Sequence, residues 1–189
     1  MTDRIKAQIA NKAMKKYILL NLVVLAGLLV AFLAFGYGFL KSIRYVVLVE
    51  ALFVIAWKDH YEKLIPNKYL LIMTGIRTFL LIGEWFVYPI YGMSILLSSL
   101  MGVAIGAGVF GLCYLISRGG MGAGDVKLMA TLGYYMGGAD IMFVMILAAV
   151  FSAVYSIVNL ARKKTNLKAE IPFAPFVLAG TSVAMMLGV

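Results

Sequence analysis

Long apolar runs separated by short polar segments dominate the chain. The runs lie at approximately residues 17–35, 43–57, 69–83, 89–116, 125–137, 139–160 and 173–188. A helix needs about 20 apolar residues to cross the hydrocarbon core of a bilayer. The fourth run is long enough to tilt, and the fifth is as short as a segment that starts at the membrane surface. The pattern therefore predicts an all-α, polytopic membrane helix bundle with about six or seven transmembrane helices.

Composition supports a membrane protein and argues against a nucleic-acid-binding protein. Hydrophobic residues make up 63% of the 189 residues, and the mean hydropathy is +0.99. The net charge is +9, but the basic residues flank apolar runs, as topology signals do, and form no basic-aromatic binding surface. The single cysteine, Cys113, permits no internal disulfide and is predicted to be a buried structural thiol.

The distribution of lysine and arginine predicts the orientation of the bundle. The first run follows a basic segment, residues 1–16, and is interpreted as a retained anchor helix because it is long for a signal peptide and lacks a convincing cleavage site. If the N-terminus is inside, most basic residues fall in the cytosolic segments 1–16, 58–68, 117–124 and 161–172. We therefore expect a multi-pass protein of the inner or plasma membrane, with a cytosolic segment at 1–16 and a single transmembrane domain at 17–189.

Two of the eight acidic residues stand at membrane boundaries on the same predicted face. Asp59 follows the second apolar run, and Asp125 opens the fifth. Acids at membrane depth are costly and tend to be functional or paired. The remaining acids are mostly predicted to be solvated loop charges: Asp3, Glu50, Glu62, Glu84, Asp140 and Glu170.

The segment before Asp125 is rich in glycine, but it does not match a nucleotide-binding loop. Gly119, Gly120, Gly122 and Gly124 allow close backbone approach and positive φ. A Walker pattern starting at Gly119 would require lysine where Asp125 stands, and a carboxylate there would repel phosphate. The dinucleotide-binding spacing of glycines also fails.

The segment around Asp59, "KDHYEKLIPNKYLL", is predicted to turn back into the bilayer. Pro66 suits the first turn of a helix, and Asn67 has turn character. His60 and Glu62 beside Asp59 raise the alternative of a metal site, but a single histidine among loop charges is more often solvated. We therefore expect no metal and no cofactor.

"DHYEKLIPN" and "GMGAGDVKLMA" together resemble the two aspartate motifs of the type IV prepilin peptidases and preflagellin peptidases, which are membrane aspartic proteases of the GxGD type. The GxGD box matches from Gly122 through Gly124 to Asp125, and Lys127 stands where the family often has lysine. The first motif matches as Asp59 followed by Ile65, Pro66 and Asn67. "IPFAPFVLAG", residues 171–180, resembles the family's C-terminal segment.

The resemblance implies that Asp59 and Asp125 are catalytic, with Gly122, Gly124, Pro66, Asn67 and Lys127 in supporting roles. It implies removal of the short basic leader of a prepilin or pseudopilin precursor, in type IV pilus assembly or secretion, at the cytosolic membrane face. Acids such as Glu62 or Glu170 are candidates to bind that leader. No paired cysteines occur, so the resemblance is to the short forms without the methyltransferase domain.

Two other functions fit part of the pattern. An ion-coupled transporter also uses intramembrane acids and glycine-broken helices, but its site usually lies near the midplane rather than at one face. A presenilin-like intramembrane protease shares the GxGD box but would hold both acids within the bilayer. The polar loop after Asp59 favours a peptidase that cleaves at the membrane surface.

Overall fold

A computed structural model describes residues 3–117, 120–162 and 171–189, with side chains from Met14 onward. The described ranges contain helices and no strand, which confirms the all-α prediction. The helices are α1 (Asp3–Phe35), α2 (Phe39–Glu62), α3 (Asn67–Val87), α4 (Gly92–Ser117), α5 (Ala123–Met136), α6 (Gly138–Ala161) and α7 (Ala174–Met186).

Four of these helices are long and apolar enough to cross a membrane: α1 from Met14 onward, α3, α4 and α6. α7 is apolar but shorter, and α2 is 24 residues long with charged residues near both ends. The prediction of a polytopic helix bundle is therefore confirmed. The basic N-terminal segment and the first apolar run belong to one helix, because α1 already begins at Asp3. The division of the chain into a segment 1–16 and a domain 17–189 stays a prediction.

A short turn between α2 and α3 fixes where α2 ends. Lys63 adopts a left-handed conformation with φ of 50°, and its N–H donates to the carbonyl of Asp59 at 2.9 Å. Pro66 then precedes α3 in an extended conformation. It was predicted to lie in the first turn of the helix, and it lies one residue before that turn. Because proline has no N–H and favours this φ, it starts α3 without leaving a donor unpaired.

Glycines allow α4 and α5 to pack backbone to backbone, and this pair makes the most extensive helix contact in the bundle. A Cβ on Gly102 would collide with the carbonyl oxygen of Gly133, and a Cβ on Gly106 would collide with that of Met129. Small residues spaced in this way are typical of tight helix packing in membranes. The contact holds α5, and with it Asp125, against a long spanning helix.

α2 passes through the centre of the core. Its apolar side chains Leu48, Leu52 and Ile55 are fully buried, in a cluster that includes Leu132 of α5 and Val177 of α7. A fully buried aliphatic side chain stabilises the fold by roughly 1.5–3 kcal/mol. The C-terminal turn of α2, which carries Asp59, is therefore anchored by several such contacts.

Glu84 is not the solvated loop charge that the sequence predicted. Its side chain is buried in α3, with one oxygen 3.0 Å from Arg44 and the other 2.9 Å from Arg77. Arg77 is fully buried and also donates to Ser99 and to the carbonyl of Tyr134 at 3.0 Å. A charge in an apolar helix requires such partners, and Arg77 within the third apolar run was the signal that could have indicated them.

The prediction for Cys113 is also wrong, because its side chain is exposed on α4. α4 is apolar on every side, so its sequence does not distinguish the face that meets lipid from the face that meets the bundle. Lipid tails and a protein core favour the same apolar side chains.

Candidate active site

Asp59 lies in the last turn of α2 and is only 6% exposed. Its Oδ2 accepts a hydrogen bond of 2.8 Å from the backbone N–H of Ala174. Ala174 is the first residue of α7, 115 positions further along the chain. The carboxylate of one helix end is therefore held by the backbone of another.

The start of α7 explains why it offers a donor to Asp59. The first N–H groups of a helix have no partner within the helix. Pro175 in this turn has no N–H, while the N–H groups of Phe176 and Val177 donate to the carbonyl of Phe173. Asp59 thus caps α7, and the positive end of the helix dipole stabilises its anion.

This contact was not predicted from the sequence, although residues 171–180 resemble a family segment. The proline near the start of the last apolar run indicates a helix N-terminus. Nothing local indicates which acceptor fills it, because the acceptor comes from the opposite part of the chain.

Asp125 lies in the first turn of α5 and is half-buried. The N–H of Gly122 donates to its Oδ2 at 3.2 Å, and the N–H of Asp125 donates back to the carbonyl of Gly122 at 3.1 Å. This reciprocal pair resembles a capping box and fixes the carboxylate at the helix start. A Cβ on Gly122 would lie 3.3 Å from the same Oδ2, so glycine keeps room beside the carboxylate.

Two contacts join the motif of Asp59 to the motif of Asp125. A Cβ on Gly124 would lie 3.1 Å from the Cβ of Ile65, so glycine lets the start of α5 approach the α2–α3 turn. Lys127 donates to the Oδ1 of Asn67 at 3.0 Å. Lys127, to which the resemblance gives a supporting role, thus links the two motifs.

The electrostatics differ between the two aspartates, which lie at helix ends beyond the long apolar stretches. Burial raises the pKa of Asp59 above its ordinary value, while the backbone N–H groups of Ala174 and Phe173 oppose that shift. Burial raises the pKa of Asp125 to about 6, opposed by the Gly122 N–H and reinforced by the negative charge of Asp59. The carboxylate of Asp59 is thus close enough to Asp125 for its charge to raise the pKa of Asp125.

The polar residues around Asp59 do not gather into a metal site. The imidazole of His60 is exposed and packs edge-on against Tyr61, 5.1 Å between ring centroids. Glu62 is exposed and pairs with Lys58 at 3.3 Å. Within the described ranges, no three histidine, cysteine or acidic side chains lie together in a way that could hold a metal ion. Glu170 lies outside the described residues.

The sequence also matches a known protein family. The sequence model of the type IV leader peptidase family matches residues 46–157, which include both aspartates and the contacts that join their motifs. The match covers more than half of the chain. The chain belongs to the type IV leader peptidase family. α1 and α7 lie outside the matched range, so the Asp59–Ala174 contact joins a matched residue to one beyond the match.

Individual relatives give the same result. Over 147 residues the chain is 25% identical to the prepilin leader peptidase/N-methyltransferase of Bacillus subtilis, covering 76% of this chain and 55% of that protein. Over 180 residues it is 28% identical to the protein of that name from Stutzerimonas stutzeri, covering 92% of this chain and 59% of that one. The leader peptidase HopD of Escherichia coli is 37% identical over 90 residues, which cover 44% of this chain and 58% of HopD.

The chain thus spans a little over half the length of these relatives. No solved structure matches it. Activity and substrate are therefore inferred below from the site itself, together with the family.

Proposed function

We propose that this protein is an aspartic endopeptidase in which Asp59 and Asp125 form the catalytic pair. The observation that carries the proposal is that two carboxylates lie at one end of the bundle and that, among the described residues, no cationic side chain pairs with either of them. Among the described residues, neither aspartate forms a salt bridge, and the hydrogen bonds that their side chains accept come from backbone N–H groups. A pair of this kind keeps an exchangeable proton, which peptide hydrolysis requires.

The different surroundings assign different roles to the two acids. Asp59 accepts N–H groups at the start of α7, which favour its ionised form. Asp125, with a pKa raised to about 6 by burial and by the charge of Asp59, is the one that holds the shared proton. Asp59 then acts as the general base and Asp125 as the general acid.

The chemical step follows from these roles. Asp59 takes a proton from a water molecule as the water oxygen bonds to the scissile carbonyl carbon, and Asp125 gives its proton to the carbonyl oxygen. In the second half of the reaction, Asp125 takes that proton back as the carbonyl reforms. The C–N bond breaks, and Asp59 delivers its proton to the leaving amine, which returns the pair to its starting state.

The substrate we propose is a prepilin-like precursor with a short basic leader followed by a hydrophobic helix. The relatives named above are leader peptidases, and two are named for prepilin. Asp59 and Asp125 lie at helix ends, and the nearby Lys127 and Asn67 are exposed. Such a position suits cleavage where a substrate helix leaves the bilayer, and the positive-inside distribution assigns that face to the cytosol.

Recognition of the leader is assigned to acidic side chains beside the pair. Glu62 lies three residues after Asp59, is exposed, and pairs only with the half-buried Lys58 among the described residues. A surface pair of this kind contributes little, roughly 0–1 kcal/mol. An incoming basic leader can therefore replace Lys58 at low cost.

The deciding experiment measures cleavage of a precursor by purified protein in detergent. Asp59→Asn and Asp125→Asn should each lower the rate by about 10²- to 10⁴-fold, because asparagine keeps the shape of aspartate but cannot exchange the proton. Glu62→Gln is the matched comparison, since it removes a carboxylate from the same turn without touching the pair; it should raise KM for the basic leader and leave kcat near that of the unaltered chain. Near-normal cleavage by either aspartate variant, at equal folded protein, would reject the proposal.

A further inference from the structure

A second polar region lies at the end of the bundle opposite the aspartates. A cavity of about 500 Å³ is lined there by residues from the ends of α2, α3, α4 and α6 and from the α5–α6 turn. Its inner wall includes the buried Ser99 and Tyr135, while Tyr91 and Ser94 are exposed and mark its mouth. The proposed peptidase mechanism makes no use of this cavity.

The length of α5 explains why the cavity exists. α5 has 14 residues, which at about 1.5 Å per residue span roughly 21 Å, short of the ~30 Å hydrocarbon core. The chain turns at Gly137, with φ of 93°, and α6 starts at once with Gly138. The neighbouring helices continue past this turn, so the space above it is walled by their ends.

Positive charge exceeds negative charge along one wall of the cavity. Arg44 and Arg77 share the carboxylate of Glu84, so neither guanidinium has a salt-bridged carboxylate of its own among the described residues. In the same part of the chain, the Nε of Arg44 is buried and has no hydrogen-bond partner. Lys41, one turn before Arg44 on α2, lines the same wall. A buried donor without an acceptor is unfavourable, and an anionic group beside it would satisfy it.

A carboxylate on another helix faces these cations without forming a salt bridge in the described part of the chain. Asp140, in the first turn of α6, lines the cavity. In the described part of the chain, neither Lys41 nor Asp140 forms a salt bridge; the Lys41 ammonium lies 4.1 Å from the centre of the Tyr37 ring. The cavity therefore presents a cationic wall and, facing it, a carboxylate that forms no salt bridge in the described part of the chain, with the hydroxyls of Ser94 and Ser98 beside them.

A ligand that carries a phosphate next to an ammonium group would complement both. The lining residues lie within about two turns of the helix ends, so the cavity opens toward the headgroup region and its floor lies deeper. Trp85, Tyr88 and Tyr91 stand at the same end and are exposed, as aromatic residues at a membrane interface are. The position therefore favours a lipid headgroup over a ligand of the hydrocarbon core.

We propose that this cavity binds the phosphoethanolamine headgroup of a phospholipid, with the phosphate held by Lys41 and Arg44 and the ammonium held by Asp140. The proposal concerns lipid binding and does not depend on the peptidase function. A headgroup bound there would tie the ends of α2 and α6 together.

The test uses the full chain purified in detergent, with phospholipids that share acyl chains and differ only in headgroup. Phosphatidylethanolamine should be retained in native mass spectrometry and should raise the melting temperature more than phosphatidylcholine or phosphatidylglycerol does. Choline cannot donate a hydrogen bond to Asp140, and glycerol carries no positive charge. An equal response to all three lipids, or a stronger response to phosphatidylglycerol, would overturn the proposal.

Two variants locate the binding. Lys41→Gln and Asp140→Asn should each weaken phosphatidylethanolamine binding by about tenfold, as expected for the loss of one charge-assisted hydrogen bond. Asp140→Asn should also abolish the preference over phosphatidylcholine. Lys68→Gln, which removes an exposed cation at the other end of the bundle, should bind as the unaltered chain does. Unchanged binding by both cavity variants would contradict the proposal.

Two further results complete the test. If a cavity variant does not fold, the comparison of the three lipid headgroups on the unaltered chain still tests the proposal. Soluble phosphoethanolamine is the last arm: if it stabilises the protein as well as the lipid does, the ligand is a small molecule and the lipid proposal is wrong.

Discussion

The two ends of the bundle use carboxylates in opposite ways. At one end, Asp59 and Asp125 are held by backbone N–H groups, and in the described part of the chain no lysine or arginine pairs with them. At the other end, Glu84 lies between the guanidinium groups of Arg44 and Arg77. Backbone donors orient a carboxylate but leave its proton exchangeable, whereas two guanidinium groups hold it ionised. We infer that the first arrangement serves chemistry and the second stabilises the fold.

The largest expected effect concerns the aspartate pair as a unit. The double variant Asp59→Asn/Asp125→Asn should cleave no more slowly than the slower single variant, a loss of about 10²- to 10⁴-fold, because either change removes the shared proton. Rates are measured as precursor converted per folded molecule. A double variant whose loss equals the product of the single losses would show that the two acids act independently.

The same substitution at the other end should affect stability and not chemistry. Glu84→Gln removes the carboxylate that pairs with Arg44 and with the fully buried Arg77, and loss of one partner of a buried ion pair typically costs about 3–5 kcal/mol. Thermal unfolding in detergent measures this, and Glu62→Gln, an exposed acid, is the control. The cleavage rate of the protein that remains folded should be unchanged. An unaltered melting temperature would contradict the structural role of Glu84.

The pH dependence of cleavage tests the difference between the two aspartates. Activity requires protonated Asp125, whose pKa is raised to about 6. The protonated fraction of Asp125, and with it the cleavage rate, is therefore high below pH 6. It falls as the pH rises above 6, approaching a tenfold decrease per pH unit. Activity also falls in acid, as Asp59 becomes protonated. Initial rates across pH should give a bell-shaped profile, and a rate that keeps rising from pH 6 to pH 9 would reject Asp125 as the general acid.

A smaller effect is expected where the two motifs meet. Lys127→Met removes the exposed hydrogen bond to Asn67, and a hydrogen bond of this kind contributes about 0.5–1.5 kcal/mol. The value of kcat/KM should therefore fall by no more than about tenfold. Lys68→Met, beside Asn67 and without that bond, is the control. If both variants lose activity equally, the loss reflects surface charge and not the link between the motifs.

No effect is expected from removing metal ions. The proposed mechanism activates water with carboxylates alone, so cleavage should proceed at the same rate in EDTA. An EDTA-sensitive rate that zinc or calcium restores would instead favour a metal held near Asp59, His60 and Glu62.

Much of the site follows from local sequence. Asp59 and Asp125 were predicted at the same end because each adjoins an apolar run and a polar break, and the structure brings their motifs together. The glycines of the GxGD box, Gly122 and Gly124, were predicted to allow close approach, which they do at Asp125 and Ile65. Apart from α1, which begins at Asp3 and not at residue 17, helix positions were predicted within several residues, because long apolar runs and Pro or Gly breaks carry most of that information.

Sequence alone thus determined the membrane class, the order of the helices and the two aspartate motifs, since each depends on composition and on residues adjacent in the chain. The tertiary structure decided which backbone N–H holds Asp59, which charges surround Glu84, and which face of α4 exposes Cys113. These depend on pairings between distant helices. In a membrane, an apolar side chain gains little by facing protein rather than lipid, so apolar pattern alone does not specify which faces meet.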